Sequence, residues 1–375
     1  MPPSWTPRSI AFRRESQPSV QLGSIRSRMV SSRFFGTCVT VFVFICALHL
    51  VFSVLFYLDV SIQVQKLFSF RRKTNDSQQL LQTTPNVLWT SKGPTSQTPL
   101  RNNTELCPAE PPNLVGPQNV TFSNDLKWKD VRARNPKIQL GGRYKPPCVT
   151  NDHVAIIIPY RQREEHLKQL LLYLHPFLQR QQINYAIYIV NQFGDGKFNR
   201  AKLMNVGYKE ALKDFPFNCF IFSDVDLIPM DDHNFYHCYS QPRHFSVAID
   251  KHHFRLIYPQ CFGGVSGLSK EQFIKINGFP NNYWGWGGED DDVYHRIILH
   301  GMKISRPARI TGRYRMIKHG RDANNERNPK RLIRLKSVKS TMKTDGINSL
   351  KYQLIKKKVY VLFTNITVDV GKPTD

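Results

Sequence analysis

A chain of 375 residues holds one large domain or two ordinary ones and is long enough to bury a core. Its 53 Lys and Arg stand against 28 Asp and Glu, a formal charge of +25, which favours anionic partners such as a diphosphate, acidic glycans or a membrane surface. Nucleic acid is disfavoured, because the basic residues are scattered through segments that also carry acids and no zinc-finger or RNA-binding signature occurs; a dispersed basic surface also has the plain reading of solvation.

Residues 1–33 carry Arg8, Arg13, Arg14, Arg26, Arg28 and Arg33 against Glu15 alone. Phe34 to Leu58 is an uncharged, mostly apolar run of 25 residues, which at about 1.5 Å per residue reaches across a roughly 30 Å hydrocarbon layer with some tilt. The positive-inside rule then keeps residues 1–33 cytoplasmic, with Lys66 and Arg71-Arg72-Lys73 counting the other way. A cleaved signal peptide is the rival reading; the late start, the length and the lack of a small-residue exit site speak for a transmembrane anchor over 34–58. Residues 59–106 are rich in Gln, Thr, Ser, Asn and Pro and read as a flexible stem, leaving 107–375 as a lumenal domain. Acceptor sequons at Asn75, Asn102, Asn119 and Asn365 all fall beyond the span, although sequons also arise by chance. Outside the span are Cys107, Cys148, Cys219, Cys238 and Cys261; they suit an oxidising lumen, their odd number leaves one free, and no Cys-x-x-Cys spacing suggests zinc.

Val154–Tyr160 reads as a strand, Glu164–Gln181 carries leucines at helical spacing, Tyr185–Asn191 is a second strand, Arg200–Leu212 a helix and Cys219–Val225 a third strand. This alternation predicts an α/β domain whose parallel sheet is covered by helices. The first strand runs into Pro159-Tyr160-Arg161-Gln162-Arg163, which puts two guanidinium groups where open α/β sheets hold ligands. Their forked donors suit a diphosphate; surface arginines at a helix start are the alternative. The third strand leads into Asp224-Val225-Asp226, whose oxygens favour Mg²⁺ or Mn²⁺ over zinc, and strand alternation would send both carboxylates the same way. A solvated turn is the alternative there, and the apolar strand before and Leu227-Ile228-Pro229 after argue against it. Trp284-Gly285-Trp286-Gly287-Gly288 followed by Glu289-Asp290-Asp291-Asp292 reads as a mobile ligand-closing loop running into an acidic catalytic corner.

Phe198-Asn199-Arg200-Ala201-Lys202-Leu203, Phe222-Ser223-Asp224-Val225-Asp226, Phe262-Gly263-Gly264-Val265-Ser266, Asn277-Gly278-Phe279-Pro280-Asn281-Asn282-Tyr283-Trp284 and the Trp284–Asp292 run together resemble, in order, the β-1,4-galactosyltransferase family. The likeness spans roughly Cys107 to Gly371, and the members that make N-acetyllactosamine, the lactose synthase catalytic subunit among them, are nearest in look. The resemblance implies the GT-A glycosyltransferase fold, a Rossmann-like nucleotide-binding half plus an acceptor half, behind the N-terminal transmembrane helix of a type II Golgi enzyme. It implies inverting, Mn²⁺-dependent transfer of galactose from UDP-galactose to terminal N-acetylglucosamine of glycoproteins and glycolipids in β-1,4 linkage. Asp290 carries over as general base, although on chemistry alone the assignment among adjacent carboxylates is open by one residue. Asp226 carries over as metal ligand with Met316 and His319; by themselves Met316 reads as core and His319 as surface. The donor side matches at Pro159, Tyr160, Arg161, Arg163, Phe198, Arg200, Asp224, Val225, Lys251, Cys261, Trp286 and Glu289. The acceptor side matches at Tyr258, Tyr283, Gly288, Asp290, Asp291, Arg331 and Leu332; Tyr283 reads equally as core. Disulfides Cys107–Cys148 and Cys219–Cys238 are implied with Cys261 free, and a lactalbumin-type modifier or a homodimer enters as partner.

Cys261 departs from the family pattern, which places a tyrosine before Phe262-Gly263-Gly264. Relatives with a smaller residue there accept UDP-N-acetylgalactosamine, and a thiol cannot reproduce the phenolic hydrogen bond, so broadened donor use is expected. Leu332 replaces an aromatic and Leu335 another aliphatic near the acetamide pocket, which stays apolar. The rival readings are a β-1,4-N-acetylgalactosaminyltransferase or dual-donor enzyme, and an inactive glycan-binding membrane protein, which the presence of Asp226, His319, Glu289 and Asp290 disfavours.

Overall fold

The computed structural model describes residues 105–320 and 322–373 and, from the N-terminal part, Cys46. The expected tail, span and stem, with the sequons at Asn75 and Asn102, lie outside the described residues apart from Cys46, Glu105 and Leu106. Among the described residues no helix is long and apolar enough to cross a membrane.

The elements run α1 (Trp128–Ala133), β1 (His153–Tyr160), α2 (Glu164–Arg180), β2 (Asn184–Gln192), α3 (Arg200–Asp214), β3 (Cys219–Ser223), β4 (Leu227–Pro229), β5 (Arg243–His244), β6 (Ala248–Ile249), β7 (Val265–Ser269), α4 (Lys270–Lys275), α5 (Glu289–Leu299), β8 (Arg313–Met316), α6 (Arg331–Lys336), α7 (Val338–Thr341), β9 (Gln353–Val359) and β10 (Thr364–Asp369). The main sheet has the order β5-β7-β3-β1-β2-β10-β9. Its four inner strands β3, β1, β2 and β10 are parallel, and antiparallel strands close both margins.

Strands covered on both faces need apolar residues at every position, and β1 supplies them. Val154, Ile156 and Ile158 pack with Leu167, Leu170, Leu171 and Leu174 of α2. Ala155 and Ile157 belong to the opposite layer with Leu203, Met204 and Val206 of α3. At about 1.5–3 kcal/mol for each fully buried Leu or Ile side chain, these two layers rather than helix propensity hold α2 and α3 to the sheet. The first five expected elements agree with the observed ones to within about two residues at each end. The third strand stops at Ser223 rather than Val225; the Asp224 N–H makes one further bond in register with the antiparallel neighbour, to the Gly264 carbonyl at 3.1 Å, before the chain turns.

A second sheet, β4-β8-β6, lies at the carboxyl end of β3. Disulfides join Cys107 to Cys148 and Cys219 to Cys238, the latter tying the head of β3 to the segment beyond β4, and Cys261 is a buried free thiol.

Candidate functional site

Because β1 and β3 are paired in parallel, the segments after Tyr160 and Ser223 emerge on the same edge of the sheet. The start of α3 is fixed there by a buried cap: Asn199 accepts the Lys202 N–H at 2.9 Å through its side-chain oxygen. Arg200, the next residue, therefore enters the crevice, where its Nε donates to Asp224 Oδ1 at 2.7 Å and an Nη to Glu289 Oε1 at 3.4 Å. Burial pushes the Asp224 carboxyl up to about 6 against the pull of Arg200, with Asp226 adding to the rise.

Asp224 and Asp226, which strand alternation is expected to send the same way, lie beyond the end of the strand and take different partners. Asp224 turns to Arg200, whereas Asp226 Oδ2 meets His319 Nε2 at 2.9 Å. The antiparallel β4–β8 pairing sets Met316 opposite Leu227 and lets Ile317 N–H donate to the Asp226 carbonyl at 2.9 Å. The Asp226 carboxylate and the His319 imidazole meet here, and the Met316 backbone lies one register position away; a carboxylate, an imidazole and a thioether together suit a first-row divalent ion of intermediate softness. Arg163 borders it, donating to His319 Nδ1 at 3.0 Å and pairing with Asp322. Lys251 sits exposed in the short 3-10 turn Asp250–His252, whose Asp250 takes the Met316 N–H at 2.9 Å.

Another acidic group, Asp231, Asp232 and His233, brings three potential ligand atoms within 4.8 Å of one another. Its residues already have protein partners. Asp232 accepts from the Val115 and Gly116 N–H groups and from Arg180 Nε at 2.6 Å, and Asp231 from His233. It fastens the segment before α1 to α2.

The acid run is the first turn of α5, where the unpaired N–H groups and the helix dipole favour negative charge. Gly288 precedes it with φ of 98°, a left-handed backbone that side chains rarely adopt. Successive helical residues turn by about 100°, so the four carboxylates face different partners. Glu289 goes to Arg200, and its second oxygen is buried with no hydrogen-bond partner. Asp290 lies so close to Gly263 that a Cβ there would stand 2.2 Å from Asp290 Oδ2. Asp291 accepts the Tyr258 hydroxyl at 2.9 Å. Asp292 points inward, accepting the Tyr283 hydroxyl at 3.1 Å and Arg296 Nε at 2.6 Å. Burial, then the charges of Glu289 and Asp291, push the Asp290 carboxyl up to about 7 against Arg200, where a carboxylate can serve as a base near neutrality.

The remaining expected residues divide. Arg161 donates to the Gly196 carbonyl at 2.6 Å and the Ala323 carbonyl at 3.0 Å and lies over the Phe198 ring. Pro159 and Val225 are buried and Tyr160 is half-buried. Trp286 is 62 % exposed, its backbone bonded to Glu326 and Asn328. Tyr283 is buried with its ring against Gly288, and Arg331 packs over the same glycine. Leu332 is 60 % exposed. Burial pushes the Cys261 thiol up to about 11. Asn119 is exposed, while Asn365 lies within β10 with its side-chain oxygen buried. The sequence reading passed over Arg306 and His244, which hold the Pro259–Gly264 loop; a single arginine and a single histidine in irregular segments give no periodic signal.

The chain's likeness to known proteins agrees with this geometry. Residues 107–239 match the N-terminal region of glycosyl transferase group 7, and residues 243–320 the N-terminal domain of galactosyltransferase. β-1,4-Galactosyltransferase 1 of Bos taurus is 60% identical over 269 residues, which are 72% of this chain and 67% of that protein. β-1,4-Galactosyltransferase 2 of Homo sapiens is 49% identical over 365 residues, covering 92% of this chain and 98% of the relative. The solved catalytic domain of Drosophila β-1,4-galactosyltransferase 7 with xylobiose aligns at a TM-score of 0.50 and 27% identity over 59% of this chain and 94% of that one. A mutant of that Drosophila protein, solved with manganese, UDP-Gal and xylobiose, aligns equally well. With matched regions covering more than half its length and relatives this similar across most of it, the chain belongs to the β-1,4-galactosyltransferase family.

Proposed function

We propose that this protein transfers galactose from UDP-galactose to terminal N-acetylglucosamine in β-1,4 linkage, with inversion and with Mn²⁺ as cofactor. The observation that carries the reading is the placement of Asp290, near neutrality in its titration and wedged between the Arg200–Glu289 pair on one side and Tyr258–Asp291 on the other. Asp226, Met316 and His319 would hold the ion, which when bound offsets the charge of the departing nucleotide. Arg200 and Arg163 supply fixed positive charge along the same edge, and Phe198 offers a ring face to a base. Asp290 takes the proton of the acceptor hydroxyl as that oxygen attacks the anomeric carbon from the side opposite the nucleotide. Tyr258, Tyr283, Gly288, Asp291 and Arg331 form the acceptor wall.

UDP release tests this: it should require Mn²⁺ and accelerate with N-acetylglucosamine, and Asp290→Asn should cut it by about 10²–10⁴-fold. Unchanged turnover in that variant, or indifference to chelation, would refute it; glycan binding with no UDP release would leave a lectin. The buried Cys261 favours a second reading, use of UDP-N-acetylgalactosamine as well. A donor competition assay with no detectable N-acetylgalactosamine transfer removes it.

The same reading makes residues 1–33 a cytoplasmic tail, 34–58 a signal anchor, 59–106 a stem and 107–375 the lumenal domain of a Golgi enzyme, with a lactalbumin-type modifier or a second copy as protein partner. Two disulfides support an oxidising compartment. Protease digestion of sealed vesicles should spare the region from 107 onward; its digestion would reverse the topology.

A further inference from the structure

We propose that Arg306 and His244 are positioning residues that press the Pro259–Gly264 loop against Asp290 and thereby set the space beside the transferred sugar. The proposal rests on the reading of that loop as the wall of the donor-sugar site.

The loop lies between two sets of groups. On one side Gly263 abuts the Asp290 carboxylate and the Gly264 carbonyl takes the Asp224 N–H at 3.1 Å, so its position is felt by both acidic motifs. On the other side Arg306, in the irregular segment between α5 and β8, donates to the Pro259 carbonyl at 2.7 Å and the Cys261 carbonyl at 3.0 Å. Its Nε faces His244 Nδ1 at 3.4 Å, and His244 Nε2 reaches the Gly263 carbonyl at 3.0 Å. Ser246 Oγ adds a 3.2 Å bond to that carbonyl.

The relay has a defined direction. A guanidinium only donates, so His244 Nδ1 is the acceptor, the ring proton sits on Nε2, and Nε2–H donates to Gly263. Burial, and then the Arg306 charge, lower the His244 pKa to about 3, which keeps this neutral tautomer throughout the working range. The platform is rigid: His244 lies in β5, bonded to the Ser305 carbonyl at 3.0 Å, so the residue before Arg306 is fixed to the sheet. The loop lacks regular secondary structure to hold it otherwise, and Cys261 fills less volume than an aromatic ring would. Without the Arg306 Nη2 that donates to both Pro259 and Cys261, three successive constraints on Pro259, Cys261 and Gly263 fall to the last alone.

The test compares four variants of the lumenal enzyme: Arg306→Lys, which keeps the charge but has no second nitrogen to meet His244 while the first holds the loop carbonyls; Arg306→Gln; His244→Gln, whose amide nitrogen can stand in for Nε2; and His244→Leu, of similar volume without a donor. Melting temperature, kcat and KM with UDP-galactose and UDP-N-acetylgalactosamine, and donor hydrolysis without acceptor are measured for each. Both Arg306 variants and His244→Leu should lower kcat for galactose transfer about tenfold, as displacement of reacting groups by tenths of an ångström does. They should also shift the donor ratio or the ratio of hydrolysis to transfer at least threefold, while His244→Gln stays near wild type. Loss of turnover only in proportion to lost folded protein, with both ratios unchanged, would overturn the proposal; if one variant fails to fold, the same ratios are read from the others. Wild-type enzyme that releases UDP from neither donor would instead refute the functional reading, and the proposal with it.

Discussion

Gly263→Ala is the sharpest perturbation of the site, because it adds one carbon at a place where the reason for glycine is space alone. The backbone of Gly263 is not in the left-handed region, yet the added Cβ would lie 2.2 Å from Asp290 Oδ2 and 3.2 Å from its Cγ, against ordinary contacts of 3.4–4 Å. Loop and carboxylate must part by about 1 Å, and displacements of that size cost about 10²-fold in rate, or about 2.7 kcal/mol of transition-state stabilisation. Overpacking costs about 1–3 kcal/mol of stability, a fall of roughly 2–12 °C in melting temperature for a domain this size, so the variant remains folded at 25 °C. The assay is initial-rate galactose transfer at saturating donor and acceptor, beside a melt of the same preparation. Turnover within threefold of wild type in a folded variant would refute the claim that Gly263 and Asp290 are in working contact.

Other outcomes follow from the same geometry. Asp290 titrates at about 7 and acts only when ionised, so kcat/KM should fall about tenfold per pH unit below that value and level off above it; the residual rate of Asp290→Asn should lack this limb, and a limb that persists would assign the base elsewhere. Arg296 and Asp292 form a fully buried pair at 2.6 Å, so Asp292→Asn, which leaves the guanidinium uncompensated, should destabilise the domain by about 3–5 kcal/mol; a melt close to wild type would contradict it. Glycopeptide mapping of the protein should find sugar on exposed Asn119 and none on Asn365, whose side-chain oxygen is buried and whose strand β10 lies between β2 and β9; a glycan on Asn365 of active protein would count against that burial.

The parallel half of the sheet was legible in the sequence because β1, β2 and β3 are buried on both faces and therefore continuous in apolar residues, and because the leucines of α2 repeat at helical spacing. The acid run announced a site but hid its shape. Four consecutive acids after two glycines give no apolar period, so nothing local revealed that Glu289 opens a helix of 11 residues or that Asp292 belongs to the core. The pairing that sets Met316 one register position from Asp226 was equally invisible to periodicity, since it depends on strands of three and four residues, too short to carry a pattern; only the family likeness named these residues together. Arg306 and His244 escaped both routes, because their partners are backbone carbonyls, which a sequence does not distinguish.

The strand β10 lies not at a margin but between β2 and β9, parallel to the former and antiparallel to the latter. During synthesis the flank of β2 therefore stays open, with unsatisfied amides on an apolar strand, until residue 369 has left the ribosome. Folding waits on that release, and the nascent domain must be shielded from edge-to-edge association in the meantime. A premature stop codon anywhere before Thr364 would accordingly remove an interior wall of the building rather than a tail, and its product should be retained and degraded rather than exported at reduced activity.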